Sequence, residues 1–198
     1  MENLNPLSPV RFSVKLTLES IFKKEMPMPS RPRNIEIIEA DLALPEHADA
    51  MKLLLSEYAL DPMGGGEPIP DETLERLPRV LSQRPGSYTL LAYVEGQPAG
   101  LLNAFEGFST FACAPILNIH DIVVTRSLRG YKLADHLLEA AEGIAHRIAA
   151  CKMTLEVLEG NTRAQTVYRR CGFEGYELDP ATGKALFWQK KLTAPSLQ

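Results

Sequence analysis

Asn118-Ile119-His120-Asp121-Ile122-Val123-Val124-Thr125-Arg126-Ser127-Leu128-Arg129-Gly130-Tyr131-Lys132 is the stretch on which the fold turns. Its first half carries the β-branched apolar residues Ile119, Ile122, Val123 and Val124, the composition of a strand. Its second half is a short basic loop, and a long amphipathic stretch follows. A strand that feeds a glycine-containing turn and then a helix is a place to hold an anion. The first helical N–H groups lack intrahelical partners, and the helix dipole favours negative charge there. Arg126, Arg129 and Lys132 set three cationic side chains beside those donors. The turn by itself reads equally as a solvated basic loop or as a phosphate or pyrophosphate cradle.

Outward from the loop, Leu133, Leu137, Ala141, Ile144, Ala145 and Ile148 recur at helical spacing, so Gly130 to Ala150 is predicted as a helix with one buried stripe. His136 and His146 fall outside that stripe. Lys152 to Glu159 alternates around Met153, Leu155 and Val157 as a strand. Gly160-Asn161-Thr162 is a turn and helix cap, and Arg163 to Cys171 is a short helix stopped by Gly172. Phe173 to Leu178 and Ala185 to Leu192 read as two closing strands around a turn at 179–184, where Gly183 permits the reversal.

Upstream, Ile35 to Glu39 is a first strand, and a helix opens with Pro45 at its first position. Ala48, Met51, Leu54, Leu55 and Tyr58 share one of its faces. The turn-rich 61–70 stretch holds Gly64-Gly65-Gly66. No strand precedes these glycines and no Lys-Ser/Thr follows them, so a flap or plain linker fits better than a phosphate loop. Asp71 is placed to cap a second helix from Glu72, with Leu74, Leu77 and Leu81 inward and a kink or break expected near Pro78. Ser87 to Val94 and Pro98 to about Phe105 form a hairpin across Glu95-Gly96-Gln97. Glu106 to Ala114 is a loop or ragged strand edge, with Phe108 and Phe111 as packing residues in preference to the lining of a substrate pocket. Pro115 to Val124 is the strand entering the loop. The order β-α-α-β-β-β-α-β-α-β-β predicts the α/β (α+β) class, with a mixed central sheet flanked by helices. Residues 1–34, rich in proline, read as an N-terminal extension, 35–192 as the domain, and 193–198 as a tail.

The bulk numbers narrow the function classes. The 198 residues suit one domain, and 45% hydrophobic with 23% charged residues is ordinary for a globular chain. A net charge of −4 argues against nucleic acid or an anionic membrane surface as the main partner. Cys113, Cys151 and Cys171 have no C-x-x-C spacing, so neither a disulfide framework nor a zinc site is expected, and core packing is the reading for Cys151 and Cys171. No apolar run reaches the roughly 18 residues of a membrane span, and the N-terminus has no secretory apolar core, so the cytoplasm is the expected compartment.

From about Ile35 to Leu192, and most specifically from Asp121 to Phe173, the chain resembles the GNAT acetyltransferases, which bind acetyl-CoA. Ile122-Val123-Val124 resembles the family's strand before the loop. Arg129-Gly130-Tyr131-Lys132-Leu133-Ala134 resembles its Arg/Gln-x-x-Gly-x-Gly/Ala pyrophosphate loop. Leu155-Glu156-Val157 followed by Asn161, Ala164, Tyr168 and Gly172-Phe173 resembles its second half. Lys132 stands where the family has its central glycine; in helical conformation its backbone N–H would still be a donor, and its ammonium could reach a phosphate.

The resemblance implies the GNAT fold and acetyl-CoA as cosubstrate, with no metal. It places the pantetheine arm on the backbone of Ile122 and Val124, and the pyrophosphate on the N–H groups around Arg129, Gly130, Tyr131, Lys132, Leu133 and Ala134. Asn161 would bond the pantetheine arm, or serve only as a helix cap. Tyr168 matches the proton donor to the CoA sulfur, or is a packed core tyrosine. His120 lies where related enzymes acting on small amines often have a glutamate, and is the candidate general base or a hydrogen-bonded strand histidine. Asp121 faces the other way if the strand alternates regularly, and Glu156 is an alternative base. The function implied is N-acetyl transfer to the primary amine of a small molecule, the acidic chain favouring a cationic acceptor. Alternatives are a non-catalytic acyl-CoA-binding module and a protein N-acetyltransferase. A homodimer is implied by resemblance alone.

Overall fold

The computed structural model describes residues 34–176, 181, 183 and 185–192. The proposed extension, but for Asn34, and the tail lie outside the described residues, as does most of the 179–184 turn. Five strands form one sheet in the order β1 (Ile35–Glu39), β2 (Ser87–Val94), β3 (Gln97–Ser109), β4 (Ala114–Val124), β5 (Lys152–Leu155). All neighbours are antiparallel except β4 and β5, which are parallel. The parallel pair needs a crossover, and α3 (Leu133–Arg147) supplies it. Helices α1 (Pro45–Leu60) and α2 (Asp71–Ser82) precede the β2–β3 hairpin, and α4 (Thr162–Arg170) follows β5.

Alternation along the strands divides the core into two layers. Leu90, Ala92, Leu102, Ala104, Leu117 and Ile119 pack against Leu137, Leu138, Ala141, Ile144 and Ala145 of α3 and Tyr168 of α4. On the opposite face, Leu91, Leu101 and Val123 pack against Met51, Leu54 and Leu55 of α1 and Leu81 of α2. The mixed sheet and the two inward helical stripes are as read from the sequence.

Several local expectations are overturned, each for a visible reason. The β3–β4 hairpin runs to Ser109 and resumes at Ala114, so of the loop and the ragged strand edge expected for this stretch, residues 106–109 are strand. Phe108 and Phe111 project from its far end and are exposed, not packed. Helix α2 continues through Pro78, which is buried inside it, and Asp71 is its first helical residue with no side-chain cap bond. Helix α3 starts at Leu133 rather than Gly130. Cys151 is exposed, and only Cys171 packs on the core. Residues 173–176 and 185–192 carry no strand. Leu186, Phe187, Trp188 and Leu192 are exposed, and their β-like composition forms no strand without a ladder partner.

The decisive irregularity is in β4. Asn103 stands opposite Asp121 and Ala104 opposite Ile119, so His120 is an extra residue, a β-bulge. Ile119 and then Ile122 face α3, a step of three instead of two. His120 meets Phe105 edge-on, ring centroids 5.6 Å apart, and Phe105 belongs to the α1–α2 layer. Asp121 accepts from Asn103 Nδ2 at 3.1 Å, and Asn103 Oδ1 accepts from Thr89 Oγ1 at 2.8 Å. His120 and Asp121 therefore share the α1 face of the sheet. The expectation that Asp121 points away from His120 fails because it assumed unbroken alternation.

The bulge also ends β5. Parallel pairing runs from Ile116 with Lys152 to Ile119 with Leu155 and stops. Beyond the bulge β4 has no β5 partner, so Glu156 to Glu159 leave the sheet instead of extending β5 as expected. Glu156, the alternative base, is exposed there.

Candidate active site

The end of β4 beyond the bulge lines a cavity of about 470 Å³. One wall is the end of β4, with Ile122, Val123 and Val124. A second is the loop and first turn of α3, with Leu128, Arg129, Gly130, Lys132, Leu133, Ala134 and Asp135. A third is α4 with its cap, Asn161, Arg163, Ala164, Thr166, Val167, Tyr168 and Arg170. Tyr58, Asp61 and Met63, from the last turn of α1 and the loop after it, complete the lining. Of the residues singled out in the sequence, Tyr168, Ile122, Val124, Arg129, Gly130, Lys132, Leu133, Ala134 and Asn161 converge here. His120 and Tyr131 do not line the cavity.

The loop achieves its shape with left-handed backbone. After a 3₁₀ turn at Arg126–Leu128, Gly130 has φ of 100° and Lys132 has φ of 63° and ψ of 19°. Lys132 is thus not helical, contrary to the expectation. It takes the left-handed conformation that a glycine at this position adopts without a Cβ penalty, and it is the residue just before α3. Replacing Lys132 with glycine is expected to raise the unfolding free energy by about 1 kcal/mol, the order of a left-handed side-chain penalty net of glycine's greater chain entropy. Urea unfolding of the two proteins measures it, and an unchanged midpoint would show that the turn carries no strain.

Arg129 is engaged within the protein. Its Nη2 lies 2.8 Å from Asp61 Oδ2, and its Nε donates to the Val124 carbonyl at 3.1 Å. The guanidinium, and the Met63 N–H that bonds the same carboxylate, hold Asp61 below the usual carboxylate range. This pair ties the loop after α1 to the loop before α3, across 68 residues of sequence. Arg170 likewise grips both carboxylate oxygens of Asp135 at 2.7 Å, joining α4 to the first turn of α3. Asn161 caps α4, its Oδ1 accepting from Ala164 N at 3.1 Å, while also lining the cavity.

Tyr168 is 9% exposed, and its ring meets Phe173 edge-on at 6.1 Å. Burial, with a smaller contribution from Tyr58, pushes its hydroxyl up to about 12, so it keeps its proton at any physiological pH. The Tyr58 hydroxyl is also raised, first by burial and then by the carboxylates of Asp121 and Asp61. Tyr58 thus links Asp121, on the far face of β4, with the cavity. Sequence reading placed Tyr58 on a packing stripe and passed over Asp61, Met63 and Arg163. A tyrosine at the end of an amphipathic helix before a glycine-rich loop is the only signal the sequence offered.

A five-stranded mixed sheet that parts at a bulge, above a left-handed turn opening a helix and a buried tyrosine on the next helix, is the framework of an acyl-transfer fold. The model of the Acetyltransferase (GNAT) family matches residues 49–173, and the chain belongs to that family. It is an acetyltransferase. No curated protein matches the sequence. Among solved structures, a probable acetyltransferase is 25% identical over 79% of this chain and 99% of its own, with a TM-score of 0.64. The aminoglycoside acetyltransferase AAC(6')-Iy, in complex with the bisubstrate analogue CoA-S-monomethyl-acetylneamine, is 18% identical over 80% of this chain and 99% of its own, with a TM-score of 0.65. An aminoglycoside acetyltransferase from an uncultured soil metagenomic sample, in complex with sisomicin, is 14% identical over 80% and 97%, also at 0.65. At 18% and 14% identity, the last two establish the shared fold alone.

Proposed function

We propose that the protein transfers an acetyl group from acetyl-CoA to the primary amine of a small molecule. The observation that carries this reading is that one cavity joins the left-handed Gly130–Lys132 turn at the start of α3 to the protonated Tyr168 hydroxyl. The turn and the first N–H groups of α3 suit a diphosphate. The edge of Ile122 to Val124, which has no strand partner beyond β3 among the described residues, suits the amides of a pantetheine arm, with Asn161 beside it and the Val124 carbonyl already accepting from Arg129 Nε. Tyr168 suits the thioester end. CoA-bound relatives of the same fold support the cosubstrate.

In the reaction the neutral amine attacks the thioester carbonyl, the new C–N bond forms, and the C–S bond breaks. Tyr168 gives its proton to the departing thiolate, and the proton lost by the amine passes to His120, directly or through water. His120 sits at the bulge on the α1 face, off the cavity wall, so the acceptor would approach from that side. Asp121, on the same face and fixed by Asn103, adds a carboxylate that favours a cationic acceptor. The acceptor groove is thereby assigned to α1, the 61–70 loop and the bulge.

Isothermal titration with acetyl-CoA, followed by thiol release over a panel of amines and peptides, tests the reading. Binding with turnover on small amines is the expected result. Turnover on peptides alone would move the acceptor to a protein, and absence of CoA binding would overturn the reading of the cavity. His120→Ala is expected to lower kcat about a hundredfold, the order of a lost general base, with the affinity for acetyl-CoA nearly unchanged. An unchanged kcat would remove His120 from the proton path.

A further inference from the structure

On the α1 face of the sheet, two neighbouring rows of side chains run across β2, β3 and β4. One row is aliphatic: Leu91, Leu101 and Val123 stand opposite one another in the ladder, packed with α1 and α2. The next row is polar: Thr89, Asn103 and Asp121, again directly opposite one another. Thr89 is 5% exposed and Asn103 2%, and among the described residues they are the only buried polar side chains. Aliphatic side chains would fill this row as they fill its neighbour, so packing does not account for it.

Two hydrogen bonds join the polar row, and they run one way. Thr89 Oγ1 donates to Asn103 Oδ1 at 2.8 Å, which turns the amide oxygen toward β2 and Nδ2 toward β4. There Nδ2 donates to Asp121 Oδ2 at 3.1 Å. The reversed amide would set its oxygen against a carboxylate oxygen, and both are acceptors. Thr89 therefore fixes the amide, and the amide fixes the carboxylate. Asp121 Oδ1 has no hydrogen-bond partner among the described residues. Asp121 is half-buried in the last ladder pair before the bulge, next to His120, and its charge reaches Tyr58, which lines the cavity.

We propose that Thr89 and Asn103 are positioning residues of this acetyltransferase, holding Asp121 so that its open oxygen receives a cationic group of the acceptor on the α1 face. This rests on the reading of that face as the acceptor groove. A carboxylate already held in place loses little rotamer freedom when the acceptor arrives. A contact made equally in the ground and transition states lowers KM and leaves kcat alone. Stability supplies an independent signature. Removing one partner of a buried hydrogen bond leaves the other unpaired, whereas replacing both with apolar groups of like shape is nearly neutral or stabilising. Asp121, only half-buried, then turns to water.

The test is steady-state kinetics and thermal melts of the full-length protein, using acetyl-CoA and the small amine it acetylates fastest. Asp121→Asn keeps an acceptor for Asn103 and removes the charge. It is expected to raise the KM for the amine about tenfold, the order of a charge-assisted hydrogen bond. Thr89→Val alters a side chain with no bond to Asp121, and is expected to raise the same KM severalfold and to melt below the parent. The double variant Thr89→Val/Asn103→Leu should raise the KM at least as far as Thr89→Val, yet melt at or above the parent temperature. Isothermal titration should show the Kd for acetyl-CoA unchanged in all three. An unchanged amine KM in the double variant, or a double variant that melts below the parent, overturns the proposal and makes the row structural. A loss confined to acetyl-CoA affinity overturns it as well. If the unaltered protein acetylates no small amine, it is the proposed function that fails.

Discussion

Replacing Tyr168 with phenylalanine is expected to lower kcat about a hundredfold or more while leaving the affinity for acetyl-CoA nearly unchanged. The substitution removes one oxygen and keeps the ring that packs on Phe173 and the α3 layer. General acid catalysis contributes typically about 10² to 10⁴ in rate, and a proton for the departing thiolate is needed only as the C–S bond breaks. The effect should therefore fall on kcat and not on ground-state binding. The raised phenol makes a second, independent readout. With its value moved from 10.0 up to about 12 by burial, the protonated form is the one the folded state favours. That contribution to stability is complete below pH 10.0 and is lost as pH rises toward about 12, so the alkaline fall in stability should be shallower in Tyr168→Phe. Single-turnover kinetics and alkaline unfolding check the two separately. An unchanged kcat would take Tyr168 out of the chemistry and leave it a packing residue.

Gly64→Ala is expected to destabilise the protein by about 2 kcal/mol or more and to lower kcat/KM at temperatures where the chain is still folded. A Cβ at residue 64 would fall 1.9 Å from the Tyr58 carbonyl oxygen, 2.8 Å from its carbonyl carbon and 2.9 Å from its Cδ2. The obstruction is backbone, which cannot swing aside as a long side chain can. Gly64 donates to the Asp61 carbonyl at 2.7 Å, closing the turn that ends α1. Displacing it drags Asp61, which holds Arg129, and Met63, which lines the cavity. The control is Gly143→Ala, on the exposed side of α3 with nothing near its Cβ, where alanine should add about 1 kcal/mol through helix propensity. Thermal melts compare the two, and a Gly64→Ala protein as stable and as active as the parent would show that the loop repacks freely.

The three glycines show how far sequence reading reached. Gly64-Gly65-Gly66 was separable from a phosphate loop by what flanks it. What the glycines do instead depends on the Tyr58 carbonyl above Gly64, a neighbour that appears only when α1 and its loop are folded back. The strand, the loop and the helix stripes around Arg126 to Lys132 were legible because their signals are local: β-branched residues, period-3.6 spacing and a glycine at the turn. The same locality misled for 185–192, whose composition suits a strand but whose ladder partner no composition can provide. It misled for Asp121 as well, since alternation counts residues and a bulge inserts one that the pattern does not mark.

By itself the sequence determined the element order from β1 to α4, the two buried faces and the family, because these follow from spacing along the chain. Only the tertiary structure decided which charges are free to meet a ligand. Arg129 and Arg163 are both arginines in the sequence. Among the described residues, the folded chain pairs Asp61 with the first and no carboxylate with the second. The same folding turned His120 and Asp121 to one face and parted β4 from β5. The site is therefore a product of one irregular residue in a strand and two ion pairs between distant segments, and neither leaves a periodic trace in the sequence.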